Sequence, residues 1–214
     1  KDIPAPDVGT NEAVMGWIMD TYSMMAGTAI PGIVTGKPVE LGGSLGRTEA
    51  TGRGAVYVLK EAMKRLKLPY DRCTAVIDGF GNVGRSAAEG MYEEGIRVIG
   101  LSDTSGAIFR EAGLDVPEIV EHKLAGKPLA DYRAAGVQHI GREALLRTPC
   151  TVLATCAVGE TVTGDNAGDI QAQVVLECGN AQVTPGADAV LEEREITVIP
   201  DLVATPGGVI VDYF

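Results

Sequence analysis

Aromatic side chains are scarce in this chain of 214 residues, with three Phe, six Tyr and one Trp. A core built on large rings is therefore excluded. The 28 glycines beside that shortage point to many tight turns, as alternating strands and helices produce. Histidine is nearly absent. His122 and His139 lie far apart without partner spacing, so they read as surface residues, and no metal is expected. The four cysteines, Cys73, Cys150, Cys156 and Cys178, include no CxxC and no metal spacing. Three sit in or beside apolar stretches, which fits buried free thiols in a cytoplasmic protein better than disulfides. No apolar run reaches the length of a membrane span, and no signal-peptide pattern opens the chain. Cations are outnumbered, 18 Lys and Arg against 29 Asp and Glu, for a formal charge of -11. Such a surface repels phosphate backbones and anionic headgroups, so neither nucleic acid nor membrane is expected as a partner. Plain solubility is enough to explain the charge. The initiator Met is also lacking, and the first residues read like the middle of a chain. A fragment, or a form lacking its front domain, is expected.

What remains is a globular composition, 45% hydrophobic and 22% charged, of a length that suits one large domain or one and a half small ones. Asn11 to Met25 places Val14, Trp17, Ile18, Tyr22 and Met25 at helical spacing, with Thr10 as the cap and the apolar positions facing a core. Ala29 to Gly46 is turn-rich, and a second helix is expected from about Glu49 to Leu66. The period then changes. Cys73 to Ile77 reads as a buried parallel strand, Val83 to Glu94 as a helix stopped by Gly95, and Ile96 to Leu101 as the next strand. Further helices are expected at Leu114 to Leu124, Glu143 to Arg147, from a Thr163 cap to about Ile170, and at Pro185 to Glu193. Further strands are expected at Thr151 to Ala154, Val174 to Leu176 and Ile196 to Ile199. The alternation implies an α/β fold with a doubly wound, Rossmann-like parallel sheet. Residues 1–50 form a lead-in helix and turn-rich segment, and 51–214 the Rossmann core.

Gly79-Phe80-Gly81-Asn82-Val83-Gly84 fits GxGxxG in its required context: a strand before it, a helix after it, then a second strand ending in Asp103. Gly79 permits the tight turn. Gly81 lets a pyrophosphate approach the backbone, and Gly84 lets helix pack on strand. Free N–H groups at the helix start then bind phosphate. Asp103, 19 residues past Gly84, can accept hydrogen bonds from the adenosine ribose and would repel a 2′-phosphate. NAD is therefore expected as cofactor, with NADP the alternative because Arg85 and Arg110 are nearby and could offset that repulsion. Read alone, Asp103 could equally cap a loop.

Several stretches resemble the Glu/Leu/Phe/Val dehydrogenase family, its glutamate dehydrogenase branch above all. They are Asp2-Ile3-Pro4-Ala5-Pro6-Asp7-Val8-Gly9-Thr10, Thr35-Gly36-Lys37-Pro38, Gly42-Gly43-Ser44 through Arg47 to Glu49-Ala50-Thr51-Gly52-Arg53-Gly54, the glycine turn itself, Pro200-Asp201-Leu202 and Gly207-Gly208-Val209. The resemblance implies NAD(P)-dependent oxidative deamination of an L-amino acid to its 2-oxo acid. Asp7 matches the aspartate that exchanges protons with the amine, although by residue type alone it could also cap a helix. Arg47 and Thr51 match positions that contact the cofactor, and Asn180 matches an asparagine beside the nicotinamide ribose. The family's catalytic lysine belongs to a front domain that carries most of the homo-hexamer contacts; neither Lys37 nor Lys60 sits in its motif. This chain alone is expected to be inactive, and monomeric or dimeric.

Departures cluster around the substrate pocket. Cys156-Ala157-Val158-Gly159-Glu160 replaces Ala-Ala-Leu-Glu-Asn, and Cys178-Gly179-Asn180-Ala181-Gln182-Val183-Thr184 replaces Gly-Ala-Asn-Gly-Pro-Thr-Thr. Thr205 stands where an asparagine is usual. Asp212 aligns with the serine that binds the glutamate side-chain carboxylate, and its charge would repel that group. Three readings follow: the cofactor half of a dehydrogenase, a dinucleotide-binding regulatory subunit without catalysis, or a dehydrogenase for a polar or cationic amino acid.

Overall fold

The computed structural model describes residues 2–7 and 9–213. The chain divides into two compact units, Thr51–Gly207 and Lys1–Ala50 with Gly208–Phe214.

The larger unit is a seven-stranded sheet flanked by helices. In chain order it contains α2 (Ala50–Leu66, from its second residue), β1 (Thr74–Asp78), α3 (Asn82–Glu93), β2 (Arg97–Asp103), β3 (Gly106–Phe109), α4 (Val116–Leu124), β4 (Gln138–Ile140), α5 (Arg142–Leu146), β5 (Cys150–Thr155), β6 (Ala172–Glu177), α6 (Pro185–Glu193), β7 (Thr197–Ile199) and α7 (Asp201–Ala204). Strand order is β4-β3-β2-β1-β5-β6-β7. β2, β1, β5, β6 and β7 are mutually parallel, whereas β3 pairs antiparallel with β2 and β4 antiparallel with β3. The chain leaves β1 toward β2 on one side and later returns to β5 on the other. The carboxyl end of β1 is therefore the point where the winding reverses, which is where open α/β sheets bind ligands.

Strand residues alternate between two cores. Ala75, Ile77, Val152, Ala154, Val174 and Leu176 pack with Val56, Leu59, Met63, Ala87 and Met91 of α2 and α3. Val76, Leu153 and Val175 pack instead with Leu145 and Leu146 of α5 and with Ala187 and Leu191 of α6. Both faces are covered, which explains why these strands read as unbroken apolar runs. Leu59 is fully buried; truncating such a side chain to Ala costs about 2–5 kcal/mol.

The doubly wound, Rossmann-like parallel sheet is as expected and carries in addition an antiparallel edge, because Asp103 and Gly106 open a tight reversal that sends β3 back along β2. One expectation fails here. The helix expected after Thr163 is only a 3-10 turn at Ala167–Asp169, where the Thr163 carbonyl accepts from Asn166 N and Ala167 N and Asn166 Oδ1 accepts from Thr163 N.

The smaller unit holds α1 (Glu12–Ala26) and α8 (Gly207–Tyr213, from its second residue) joined by turns. Asn11, not Thr10, caps α1, with its Oδ1 accepting from Val14 N at 3.1 Å. Gly27 ends the helix in the left-handed conformation, φ 72°. The expected core-facing stripe of α1 is instead largely turned outward: Trp17 is 68% exposed and Met25 85%, while Val14 and Ile18 are half-buried. The buried positions are Met15 and Gly16, the latter set close against Leu41. Among the described residues no helix is long and apolar enough to cross a membrane.

Candidate functional site

The glycine turn joins β1 to α3 at the reversal of winding. Gly79 has φ 101°, and a Cβ there would lie 2.5 Å from Ala157 N. A Cβ on Gly84 would meet Gly79 O at 1.9 Å, so helix and turn touch backbone to backbone. Around Gly81 there is open space within 4 Å. Gly79 N and Phe80 N donate to Ser102 O at 3.0 and 2.6 Å, and the Phe80 ring is buried in the core. Phe80 therefore anchors the turn from behind. No side chain caps α3, and the first N–H bonded back into it is that of Arg85, to Gly81 O at 2.8 Å. The N–H groups of Asn82, Val83 and Gly84 are thus left at a bare helix start, beside the open position at Gly81, an arrangement suited to a phosphate. The residues present fit that group.

α2 crosses this helix start closely. A Cβ on Gly52 would lie 2.6 Å from Val83 O and 2.7 Å from Ala87 N, so Thr51 stands one residue from the crossing.

Asp103 ends β2. Its Oδ1 accepts from Ser105 N at 2.7 Å and from Ser105 Oγ, and its Oδ2 from Lys123 Nζ and from Leu129 N at 3.3 Å. Burial opposes its ionisation, but the hydrogen bonds from Lys123 and Ser105 outweigh burial and hold the carboxyl below its usual value. The cation on Asp103 is Lys123 of α4, and not Arg85 or Arg110. Helical packing brings it there from 20 residues away in the chain.

Beneath the turn runs a buried polar chain that sequence reasoning missed. Asp78, fully buried, is held bidentately by Arg142, with Nε to Oδ1 at 2.7 Å and Nη2 to Oδ2 at 2.6 Å. Ser102 Oγ donates to Asp78 Oδ1 at 2.7 Å and accepts from Gly79 N at 3.2 Å. Thr161 Oγ1 accepts from Arg142 Nη2 at 3.3 Å and donates to Gln182 Oε1 at 2.8 Å. Gln182 Nε2 in turn donates to Asn180 O at 3.2 Å. Asn180 is exposed, in a turn whose next residue, Ala181, has φ 50°. Ala181 N donates to Asp201 Oδ2 at 2.7 Å. One signal for this chain was available: an aspartate closing an apolar strand needs a counter-charge, although nothing in the sequence says which. Thr205 Oγ1 donates to Asp201 O at 2.8 Å, so its hydroxyl is committed to its own helix end.

In the smaller unit, Asp7 is exposed and closes a turn with Thr10. Its N–H donates to Thr10 Oγ1 at 2.8 Å, and its carbonyl accepts from Thr10 N and Oγ1, both at 2.9 Å. This use of Thr10 is why it does not cap α1. Thr35 N donates to Pro4 O at 2.9 Å, and a Cβ on Gly36 would strike the Pro6 ring at 2.4 Å. Asp212 Oδ1 accepts from Arg47 Nε at 2.7 Å and from Thr35 Oγ1 at 2.8 Å. The negative charge expected to repel a substrate carboxylate is therefore paired with Arg47. His122 and His139, distant in sequence, both meet Tyr132: one ring packs edge-on at 5.5 Å, and the other has Nε2 3.0 Å from its carbonyl oxygen. Among the described residues no group of three His, Cys, Asp or Glu could hold a metal ion.

Comparison with known proteins agrees with this geometry. A sequence model of the Glutamate/Leucine/Phenylalanine/Valine dehydrogenase family matches residues 42–214, and one of the family's dimerisation domain matches residues 1–24. Glutamate dehydrogenase of Thermotoga maritima is 44% identical over 215 residues, covering 100% of this chain and 51% of its own length. Glutamate dehydrogenase B of Halobacterium salinarum is 42% identical over 214 residues, covering 100% and 49%. The hetero-hexameric glutamate dehydrogenase of Thermus thermophilus, in its Leu-bound form, superposes with a TM-score of 0.90 at 37% identity, covering 99% of this chain and 50% of that one. The chain spans about half the length of these relatives. The chain belongs to the Glu/Leu/Phe/Val dehydrogenase family.

Proposed function

We propose that this chain is the cofactor-binding half of an NAD(P)-dependent dehydrogenase that oxidatively deaminates an L-amino acid to its 2-oxo acid. The observation that carries the reading is the bare start of α3, facing open space at Gly81 at the sheet's reversal point. In this reading Asn82, Val83 and Gly84 bind the pyrophosphate through their N–H groups, Asp103 takes the adenosine ribose, and Thr51 and Asn180 border the same cofactor. The family resemblance adds Arg47 as a further cofactor contact. Bound nicotinamide supplies the hydride acceptor. Asp7 exchanges protons with the substrate amine, and the activating lysine comes from the family's front domain, so this chain alone turns nothing over.

NAD specificity is supported by the Asp103 carboxylate, but the Lys123 ammonium on it offsets part of the repulsion of a 2′-phosphate. Curated relatives include both NAD-specific and NADP-specific glutamate dehydrogenases, which keeps NADP as the alternative cofactor. A homo-hexamer in the cytoplasm is the setting we propose, in keeping with four free cysteines.

A second reading is a regulatory subunit that binds dinucleotide without catalysis. It is favoured by the Arg47–Asp212 pair and by the internally bonded Thr205, which leave these groups less available to a substrate. Titration with NADH and NADPH, followed by an amino-acid panel read by NADH absorbance with and without the front domain, separates the readings. Binding with turnover on addition of the front domain supports the first, and binding without turnover the second. No binding to either nucleotide removes both.

A further inference from the structure

Building on the dinucleotide reading, we infer that Arg142 is a determinant of cofactor affinity: it cancels the charge of Asp78 beneath the glycine turn, so that the cradle attracts the pyrophosphate instead of repelling it.

Asp78 is the last residue of β1 and is fully buried, one residue before an anion-binding turn. Through Ser102 Oγ its carboxylate is two hydrogen bonds from Gly79 N. Its structural use is clear, since it fixes the hydroxyl that fixes the turn. Its charge has the wrong sign for the site. Left uncompensated, that charge would repel an anion bound at the turn. The Arg142 guanidinium covers both carboxylate oxygens in a forked geometry that a lysine cannot reproduce. The Asp78 carboxylate is sealed off while the Arg142 side chain is 48% exposed, so the pair presents its positive end outward. Hydrogen bonding to Asp78 raises the pKa of Arg142 further, which favours its charged form. The same guanidinium reaches Thr161, which bonds Gln182, which holds the Asn180 carbonyl. One cation thus serves the pyrophosphate turn and braces the turn of Asn180.

The test uses calorimetric titration of the full chain with NADH, NADPH and, as an anion-only probe, inorganic pyrophosphate. Thermal unfolding of each variant is recorded alongside. Arg142→Gln leaves a naked buried carboxylate and is expected to weaken NADH binding about tenfold or more, an effect that shrinks with added salt. Asp78→Asn keeps an acceptor for Ser102 and removes the charge; binding is expected to be unchanged or tighter. The double variant is expected to return to within about threefold of the wild type. A merely structural pair moves both single variants in the same direction. Weaker NADH binding by a folded Asp78→Asn, or no recovery in the double variant, overturns the inference. If Arg142→Gln does not fold, the Asp78→Asn arm decides alone. Failure of the wild type to bind either nucleotide instead removes the dinucleotide reading on which this rests.

Discussion

Arg47 Nε donates to Asp212 Oδ1 at 2.7 Å across 165 residues of sequence, and Thr35 Oγ1 donates to the same oxygen. The pair is largely sheltered, with side-chain exposures of 22% and 14%. Asp212→Ala strands a sheltered guanidinium and is expected to lower stability by about 1–2 kcal/mol. Asp212→Ser restores an acceptor for Thr35 but not the charge. If Asp212 is what disfavours an acidic substrate, Asp212→Ser raises turnover of glutamate relative to other amino acids in the assembled enzyme. An unchanged ratio shows that Arg47 had already neutralised Asp212.

Two glycines of the turn, Gly84 and Gly81, are expected to fail differently. Gly84→Ala forces a Cβ against Gly79 O at 1.9 Å and Cys156 Cβ at 3.2 Å. Such overpacking costs about 3 kcal/mol or more, visible as a large fall in melting temperature. Gly81→Ala meets nothing within 4 Å. It is expected to cost less than about 1 kcal/mol of stability, yet to weaken NADH binding about tenfold or more by crowding the phosphate seat. Equal NADH affinity in a folded Gly81→Ala would falsify the placement of the pyrophosphate there.

Lys123 is the cation on Asp103. Lys123→Gln leaves the carboxylate charge uncompensated, and NADPH affinity is expected to fall about tenfold relative to NADH as the 2′-phosphate meets it. Equal losses for the two nucleotides point instead to Lys123 acting only by positioning Asp103.

Burial, together with the hydrogen bond to Glu118, raises the Tyr132 hydroxyl from 10.0 to about 12. The folded state therefore holds this proton more tightly than the unfolded state. The resulting stabilisation is complete below pH 10, declines as pH rises from 10 to about 12, and is lost above that. Tyrosinate absorbance should show a late ionisation near pH 12 that Tyr132→Phe removes. Tyr132→Phe should also flatten the loss of stability across that window.

The parts of the fold legible in the sequence were those where one physical requirement dominates. β1, β5 and β6 are covered on both faces, so the central residues 75–77, 152–154 and 174–176 are apolar at every position. The glycine turn needs absent side chains at fixed offsets, and its spacing shows it. The antiparallel edge was not legible because β3 and β4 have four and three residues, and β4 carries Gln138 and the exposed His139. Nor was the polarity of α1: its apolar spacing was read correctly, but spacing alone does not say whether a stripe faces inward. Arg142 escaped because its partner is 64 residues away and α5 has only five residues. Lys123 escaped likewise, since only the packing of α4 brings it to Asp103.

The outward face of α1 makes the molecule its own optical probe. Trp17 is the sole indole of the chain, and it stands on that face in water. Its emission is expected to be that of a hydrated chromophore and to shift to the blue when anything apolar covers the helix. Because Thr51–Gly207 contains no tryptophan, that signal reports the smaller unit alone. A denaturation followed by Trp17 fluorescence and one followed by backbone circular dichroism therefore read different parts of the chain, and coincident curves would mean that the two units melt as one.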